Sequence, residues 1–216
     1  MQGFDNKFKD FPDYILGITN EIWEQRGIET LNHYYSDDII VRSPEGIVIG
    51  NKKVINATKN TLKEFPDREL LGEDVIWSGN PNDGMLSSHR ILSTATHNGK
   101  GVFGDATGKK LVYRVIADCH AINNQINDEW LVRDQGSIVR QLGWKPEEYV
   151  LDRMNHWWSD NSSEGRPSLV FAYSLGKAQR VLAGLDPEIG PIFLHSAAYE
   201  FLEPYRQAGI VLPHAE

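Results

Sequence analysis

The sequence predicts an α+β fold: a curved antiparallel sheet covered by helices into a cone, followed by a short βαβα extension. Three observations carry this reading. Helical stretches with apolar residues three and four apart come first, and a run of strand-like segments follows, the order in which helices cover one face of a sheet. The strand candidates alternate apolar and polar residues, as half-buried strands do. Residues 110–142 read as two facing strands, a tight turn and a short helix, and the first part of the chain is organised around them. A curved sheet closed by helices leaves a mouth through which a small ligand can enter.

The elements follow in order. Residues 1–12 are polar with scattered Phe and read as a loosely attached arm. Asp13 is a plausible helix cap, with Tyr14, Ile15, Ile18, Ile22 and Trp23 at helical spacing and Gly27 as the stop. A short helical stretch spans Glu29 to Tyr35, a strand Ile39 to Arg42, and a turn Pro44-Glu45-Gly46. A further helix after Gly50 carries Val54, Ile55, Thr58, Leu62 and Phe65 on one stripe and closes at Pro66. Strands are then predicted over Glu73–Ser78, Met85–His97, Leu111–Ile122 and Ile126–Asp134. Asn123-Asn124 supplies the last turn, where Asn tolerates the positive φ that a two-residue hairpin requires. The domains expected are an arm (1–12), the cone (13–143) and a C-terminal α/β extension (144–216).

Of 216 residues, 40% are hydrophobic and 24% charged, with a formal net charge of -8. That acidic balance argues against broad binding to nucleic acid or anionic membranes. Cys119 is the single cysteine and reads as a small buried hydrophobe, so no intrachain disulfide can form. No apolar run long enough to span a membrane occurs, and the first residues lack an apolar signal core. A cytoplasmic protein is the expectation. The seven His are dispersed, without metal-ligand spacing, so no metal site is expected.

The polar face of the hairpin stands out. Strict alternation puts Asp118 and His120 on one face of the first strand, and Asp128, Trp130, Val132 and Asp134 on one face of the second. A turn at the Asn pair sets His120 opposite Asp128, Asp118 opposite Trp130 and Arg114 opposite Asp134. Carboxylates, an imidazole and an indole on one sheet face are costly to bury without a purpose. Further pocket candidates are Trp23, Arg42, Trp77, Arg90, His97 and Trp130, each of which can equally serve as core or surface structure.

An ordered set of motifs carries a resemblance: a helix with Trp, then DIIVRSPEG, GNKKV closing on FPD, THNG, DATGKK and DEWLVRDQGSIVRQLG. Over about residues 13–143 this resembles the SnoaL-like polyketide cyclases of the nuclear transport factor 2-like (cystatin-like) superfamily. The resemblance implies a cone-shaped α+β barrel, a homodimer formed through the outer sheet face, and no metal or organic cofactor. It also implies acid/base chemistry on a small apolar carbonyl compound, polyketide- or steroid-like, by aldol cyclisation or isomerisation. In the cyclases an Asp near the end of the domain is the general acid/base, beside a His on the preceding strand. Asp134 and His120 stand at those places, with Asp118 as a further donor or orienter. Asp134 has two structural readings besides: a cap for the last helix, or an ion pair with Arg114.

After Gly143, strands are expected at Ser168–Tyr173 and Pro191–His195, with helices at Glu147–Ser159, Leu175–Leu185 and Ala197–Ala208. Residues 156–213 resemble part of the ligase-associated exonucleases of the metallo-β-lactamase fold, without their His-rich metal motif. Residues 156–213 carry four Lys/Arg against six Asp/Glu, which is no basic footprint for DNA. Three functions compete: a cofactor-free cyclase or isomerase, a non-catalytic small-molecule-binding module, and a nucleic-acid role through the C-terminal segment.

Overall fold

The computed structural model describes residues 1–216, which form two compact units, Met1–Gly143 and Trp144–Glu216. The first unit holds one six-stranded sheet in the order β2-β1-β6-β5-β4-β3. Its strands are β1 (Tyr35–Ser43), β2 (Gly46–Ile49), β3 (Glu69–Asn80), β4 (Gly84–Thr96), β5 (Lys110–Ile122) and β6 (Gln125–Arg133). Neighbours are antiparallel except β1 and β6, which run parallel. Helices α1 (Phe11–Trp23), α2 (Leu31–Tyr34), α3 (Asn51–Glu64) and α4 (Gln135–Gln141) complete the unit.

α1 begins three residues before the expected start. Asp10, not Asp13, is the cap: its Oδ1 accepts the Asp13 N–H at 2.9 Å, and Pro12 is tolerated in the first turn because no intrahelical donor is needed there. Phe11, Tyr14, Ile15, Ile18 and Ile22 are buried, each contributing about 1.5–3 kcal/mol of burial. The N-terminal arm is not loose. Phe4 and Phe8 are buried and meet Tyr14 edge-on at 5.0 and 5.4 Å. Asp5 accepts the Tyr34 hydroxyl at 2.9 Å and donates its N–H to Asn124 Oδ1 at 2.9 Å. Scattered Phe residues in a polar segment are here an anchor for the helix that follows.

Asn123 (φ 51°) and Asn124 (φ 63°) make the β5–β6 turn. His120 faces Asp128 and Asp118 faces Trp130, but Ala121 faces Ile126, so Asn127 is an extra, bulged residue. The bulge changes the phase of β6: Ile126 is buried, and so is Glu129, three residues later. Residues paired across strands share a face, so the inner face carries Ile91, Val115, Ala117, Cys119, Glu129 and Leu131. α1 covers this face, with Gly72 of β3 admitting Leu16; a Cβ there would stand 2.4 Å from a Leu16 methyl.

The glycine-rich loop of residues 98–108 is tied to the end of α3. Glu64 accepts the Asn98 and Gly99 N–H groups on its carbonyl and the Val102 (3.0 Å) and Phe103 (2.8 Å) N–H groups on its carboxylate. A Cβ at Gly99 would lie 1.9 Å from the Lys63 carbonyl oxygen, so only glycine fits.

In the second unit, α5 (Pro146–Ser163), α6 (Lys177–Leu182), α7 (Ser196–Tyr199) and α8 (Leu202–Gln207) form, but the two expected strands do not. Residues 192–194 exchange backbone bonds only with Glu216, Leu194 N–H to Glu216 O at 2.8 Å and Glu216 N–H to Ile192 O at 2.9 Å. Leu169, Phe171 and Tyr173 stay exposed. Two short parallel strands need a larger sheet to complete their ladders, and this unit has none. The expected last helix is split, with Pro204 in the first turn of α8. Gln179, Leu182, Ala198 and Leu202 supply the small core, with the Gln179 amide bonded to the Ser174 and Ala198 carbonyls. No helix of either unit is long and apolar enough to cross a membrane.

Candidate functional site

α1, α3 and the inner sheet face enclose a cavity of about 650 Å³. Its wall is mostly apolar, from Ile15, Ile18, Ile22, Val54, Ile91, Val115, Ala117 and Leu131. Into this wall the strands set a few polar groups: Glu129 and Arg133 from β6, His89 from β4, Tyr35 from the start of β1, Tyr113 from β5 and Arg68 just before β3.

Glu129 is the central one. It is only 8% exposed, stands opposite Cys119, and accepts the Tyr35 hydroxyl on Oε2 at 2.7 Å. Burial raises its pKa above the usual carboxylate value, and the Tyr35 hydrogen bond opposes that rise. Tyr35 is fixed from behind, because the Asn51 amide donates to the Leu31 and Tyr35 carbonyls at 2.9 and 3.0 Å. The phenol stays protonated, its pKa driven well up by burial and then by Glu129. Burial lowers His89 to about 4, against a weaker pull from Asp118, so the imidazole is neutral near pH 7. Burial and then Glu129 push the Cys119 thiol far up, leaving it unreactive.

At one end of the cavity Arg133 pairs with Glu45, while its buried Nε has no hydrogen-bond partner. Arg68 is 6% exposed, its guanidinium 4.5 Å above the Trp23 ring and its Nε 3.3 Å from Ser93 Oγ. Burial pulls its pKa down, and Tyr113 is the strongest influence in the opposite direction.

The structure separates the residues singled out from the sequence. Trp23 lines the cavity. Trp77 is on the inner face of β3 but half exposed, packed edge-on against Phe11 at 6.2 Å. His97 is fully buried outside the cavity wall, between Thr107 Oγ1 at 3.1 Å and Glu64 Oε1 at 3.2 Å, where it holds the loop. Asp118, His120, Arg42, Arg90 and Trp130 lie on the outer sheet face. There Arg42 pairs with Asp128 and lies 4.7 Å over Trp130, and His120 Nδ1 meets Asn127 Oδ1 at 2.6 Å. Arg90 and Arg114 both engage Glu73, so the expected Arg114–Asp134 pair does not form. Asp134 is exposed and caps α4, accepting the Ser137 N–H at 2.8 Å.

Glu129, Tyr35, Arg68, Tyr113 and Arg133 are not among the residues singled out from the sequence; of His89 and Arg90, which alternation sets on opposite faces, His89 lines the cavity. One signal for the correct face was available: the odd-numbered residues Leu111 to Ala121 are apolar, aromatic or small throughout, and only that face of β5 suits a core.

The structure resembles several solved ones. AclR from Streptomyces galilaeus, provisionally assigned as a hydroxylase, shares 20% identity with a TM-score of 0.51, covering 60% of this chain and 92% of that one. IdmH from Streptomyces antibioticus, provisionally assigned as a polyketide cyclase, shares 19% with a TM-score of 0.52, covering 61% and 97%. A protein of Jannaschia sp. CCS1, provisionally assigned as a SnoaL-like polyketide cyclase, shares 12% with a TM-score of 0.55, covering 62% and 92%. No curated protein matches the sequence. At these identities the likeness concerns the fold. The profile of the SnoaL-like polyketide cyclases matches residues 4–142, the whole of the cone, and the chain therefore belongs to the SnoaL-like polyketide cyclase family.

Proposed function

We propose that the cavity is an acid/base site in which Glu129 removes a proton next to a carbonyl of a small, largely apolar compound. The enolate so formed attacks a second carbonyl in an aldol cyclisation, or is reprotonated elsewhere in an isomerisation. One observation carries this reading: a buried carboxyl of raised pKa faces an apolar cavity large enough for a polycyclic ligand. Such a carboxyl is a stronger base than a solvated one and can return the proton as an acid. Tyr35 positions it, and the apolar wall holds the ligand folded, which supplies much of the acceleration in a ring closure.

Turnover of a panel of 1,3-dicarbonyl compounds by wild type, Glu129→Gln and Asp134→Asn tests this. The reading expects Glu129→Gln to lose at least a hundredfold in kcat, the scale of general-base catalysis, and Asp134→Asn to stay within twofold. Equal turnover by wild type and Glu129→Gln removes Glu129 from the mechanism; binding of the compounds without turnover leaves a small-molecule-binding module.

We also propose that the outer sheet face associates with a second copy. Leu71, Ile76, Leu86, Val112, Trp130 and Val132 are exposed on it, around the mixed charges of Glu73, Arg90 and Arg114. Light scattering that gives a monomer at all concentrations overturns this.

A further inference from the structure

We infer that the Arg68 guanidinium is a subsite for a carboxylate carried by the ligand, so that the substrates of this cavity are carbonyl compounds bearing a free acid. The inference rests on the cavity being the ligand site, as proposed above, but not on Glu129 being the base.

Arg68 is a cation more than nine-tenths buried, and it forms no ion pair. The one hydrogen bond of its side chain within the protein runs from Nε to Ser93 Oγ, a neutral acceptor. The terminal nitrogens Nη1 and Nη2 donate to no protein group, and the side chain lines the cavity. Of the nearby acids, Glu45 pairs with Arg133 and accepts the Ser43 hydroxyl, and Glu24 takes the Leu70 N–H on Oε1 at 2.5 Å while its buried Oε2 has no partner; neither forms an ion pair with Arg68. Arg133 adds a second guanidinium to the same wall, with a buried Nε that lacks a partner.

A buried charge is tolerated only when it is paired and hydrogen-bonded. Two guanidinium groups in one wall make the local demand for negative charge larger still. The shape of the unmet demand is specific. Nε is engaged with Ser93 and the plane is fixed against Trp23, 4.5 Å away, which leaves the Nη1/Nη2 end to meet a planar acceptor. A carboxylate fits that fork with two parallel hydrogen bonds, which a ketone or an ester oxygen cannot match. Tyr113, whose side chain lines the same space, offers a further donor.

The test compares anthracene-2-carboxylate with its methyl ester, titrated at pH 7.5 and read from quenching of tryptophan fluorescence. The pair keeps the apolar body and changes only the charge. The wild type is expected to bind the acid at least tenfold more tightly than the ester. In Arg68→Met the acid should weaken to within twofold of the ester while the ester keeps its Kd; Arg68→Lys should retain part of the preference. Asp134→Asn, outside the cavity, should keep the preference in full, and because the readout is binding without turnover, the carboxylate subsite and the acid/base role fail separately. Equal binding of acid and ester by the wild type, no binding of the acid, or a preference that survives in folded Arg68→Met overturns the inference. The wild-type comparison needs no variant, so misfolding of Arg68→Met cannot shelter it.

Discussion

Glu129→Gln should stabilise the protein in a way that depends on pH, and the dependence follows from where the carboxyl sits. Its ordinary pKa is 4.5, and burial raises it in the folded chain. Below the unfolded value both states hold the proton, so Gln, equal in shape and also neutral, changes little. Above it the unfolded chain releases the proton while the folded chain keeps it, and wild-type stability falls by about 1.4 kcal/mol per pH unit. The fall stops once the pH passes the folded pKa. The Tm advantage of Glu129→Gln should therefore be near zero at pH 4, grow above pH 4.5 and then level off. Each unit by which the folded pKa exceeds the ordinary one adds about 1.4 kcal/mol to the plateau, or roughly 3–6 °C for a domain of this size. Calorimetric melts of both proteins from pH 4 to 9 measure it, and the pH at which the gap levels off reads the Glu129 pKa directly. A gap that is constant across this range, or that widens towards low pH, would show that Glu129 is not held above its ordinary pKa.

Three further outcomes are expected. Tyr35→Phe removes the one hydrogen bond that lowers Glu129, so the plateau in the same experiment should move to higher pH, with a loss of about 1–3 kcal/mol for the bond to a charged partner; an unmoved plateau would sever Tyr35 from the carboxyl. Asp134→Ala should cost about 1 kcal/mol through loss of the α4 cap, whereas Asp134→Asn, which caps as well, should melt with the wild type; equal losses in both would point to the charge rather than the cap. Gly101→Ala would place a Cβ 2.2 Å from the Glu64 carboxyl and should cost about 1–3 kcal/mol of strain, seen as a lower Tm and faster proteolysis within residues 98–108; resistance equal to wild type would count against the Glu64 tether.

How far the sequence could be read depended on the kind of signal. Helical spacing in Tyr14–Ile22 and in Val54–Thr58, and alternation in β4 and β5, identified those elements because burial on one side imposes a period. The Asn pair marked its turn because few other residues accept positive φ. β2 escaped notice, since four residues carry too little period to register. The polar residues of the hairpin stand on the outer face rather than in the cavity for a physical reason. Polar residues on a half-buried strand face solvent unless packing demands otherwise, and the few turned inward on β5 and β6, Tyr113, Glu129 and Arg133, are set among apolar neighbours. Strict alternation along β6 takes no account of a bulge, because nothing in the sequence marks Asn127 as an extra residue. Arg68 was passed over because its burial depends on packing against Trp23 and Ser93, residues 45 and 25 positions away from it.

The bulge at Asn127 gives β6 two reading frames. Upstream of it, even-numbered residues enter the core; downstream, odd-numbered ones do. Deleting that one residue would restore a single frame with Ile126 and Glu129 both still inside; absorbing the extra residue beyond Glu129 instead, with Ile126 in place, would carry Glu129 across the sheet to the solvent and bring Asp128 to the cavity side. The sidedness of the acid group is thus stored in the place of the bulge rather than in the identity of the residues around it. A relative of this chain could gain or lose an internal carboxyl by moving the bulge along the strand, with every ligand-facing side chain elsewhere unchanged.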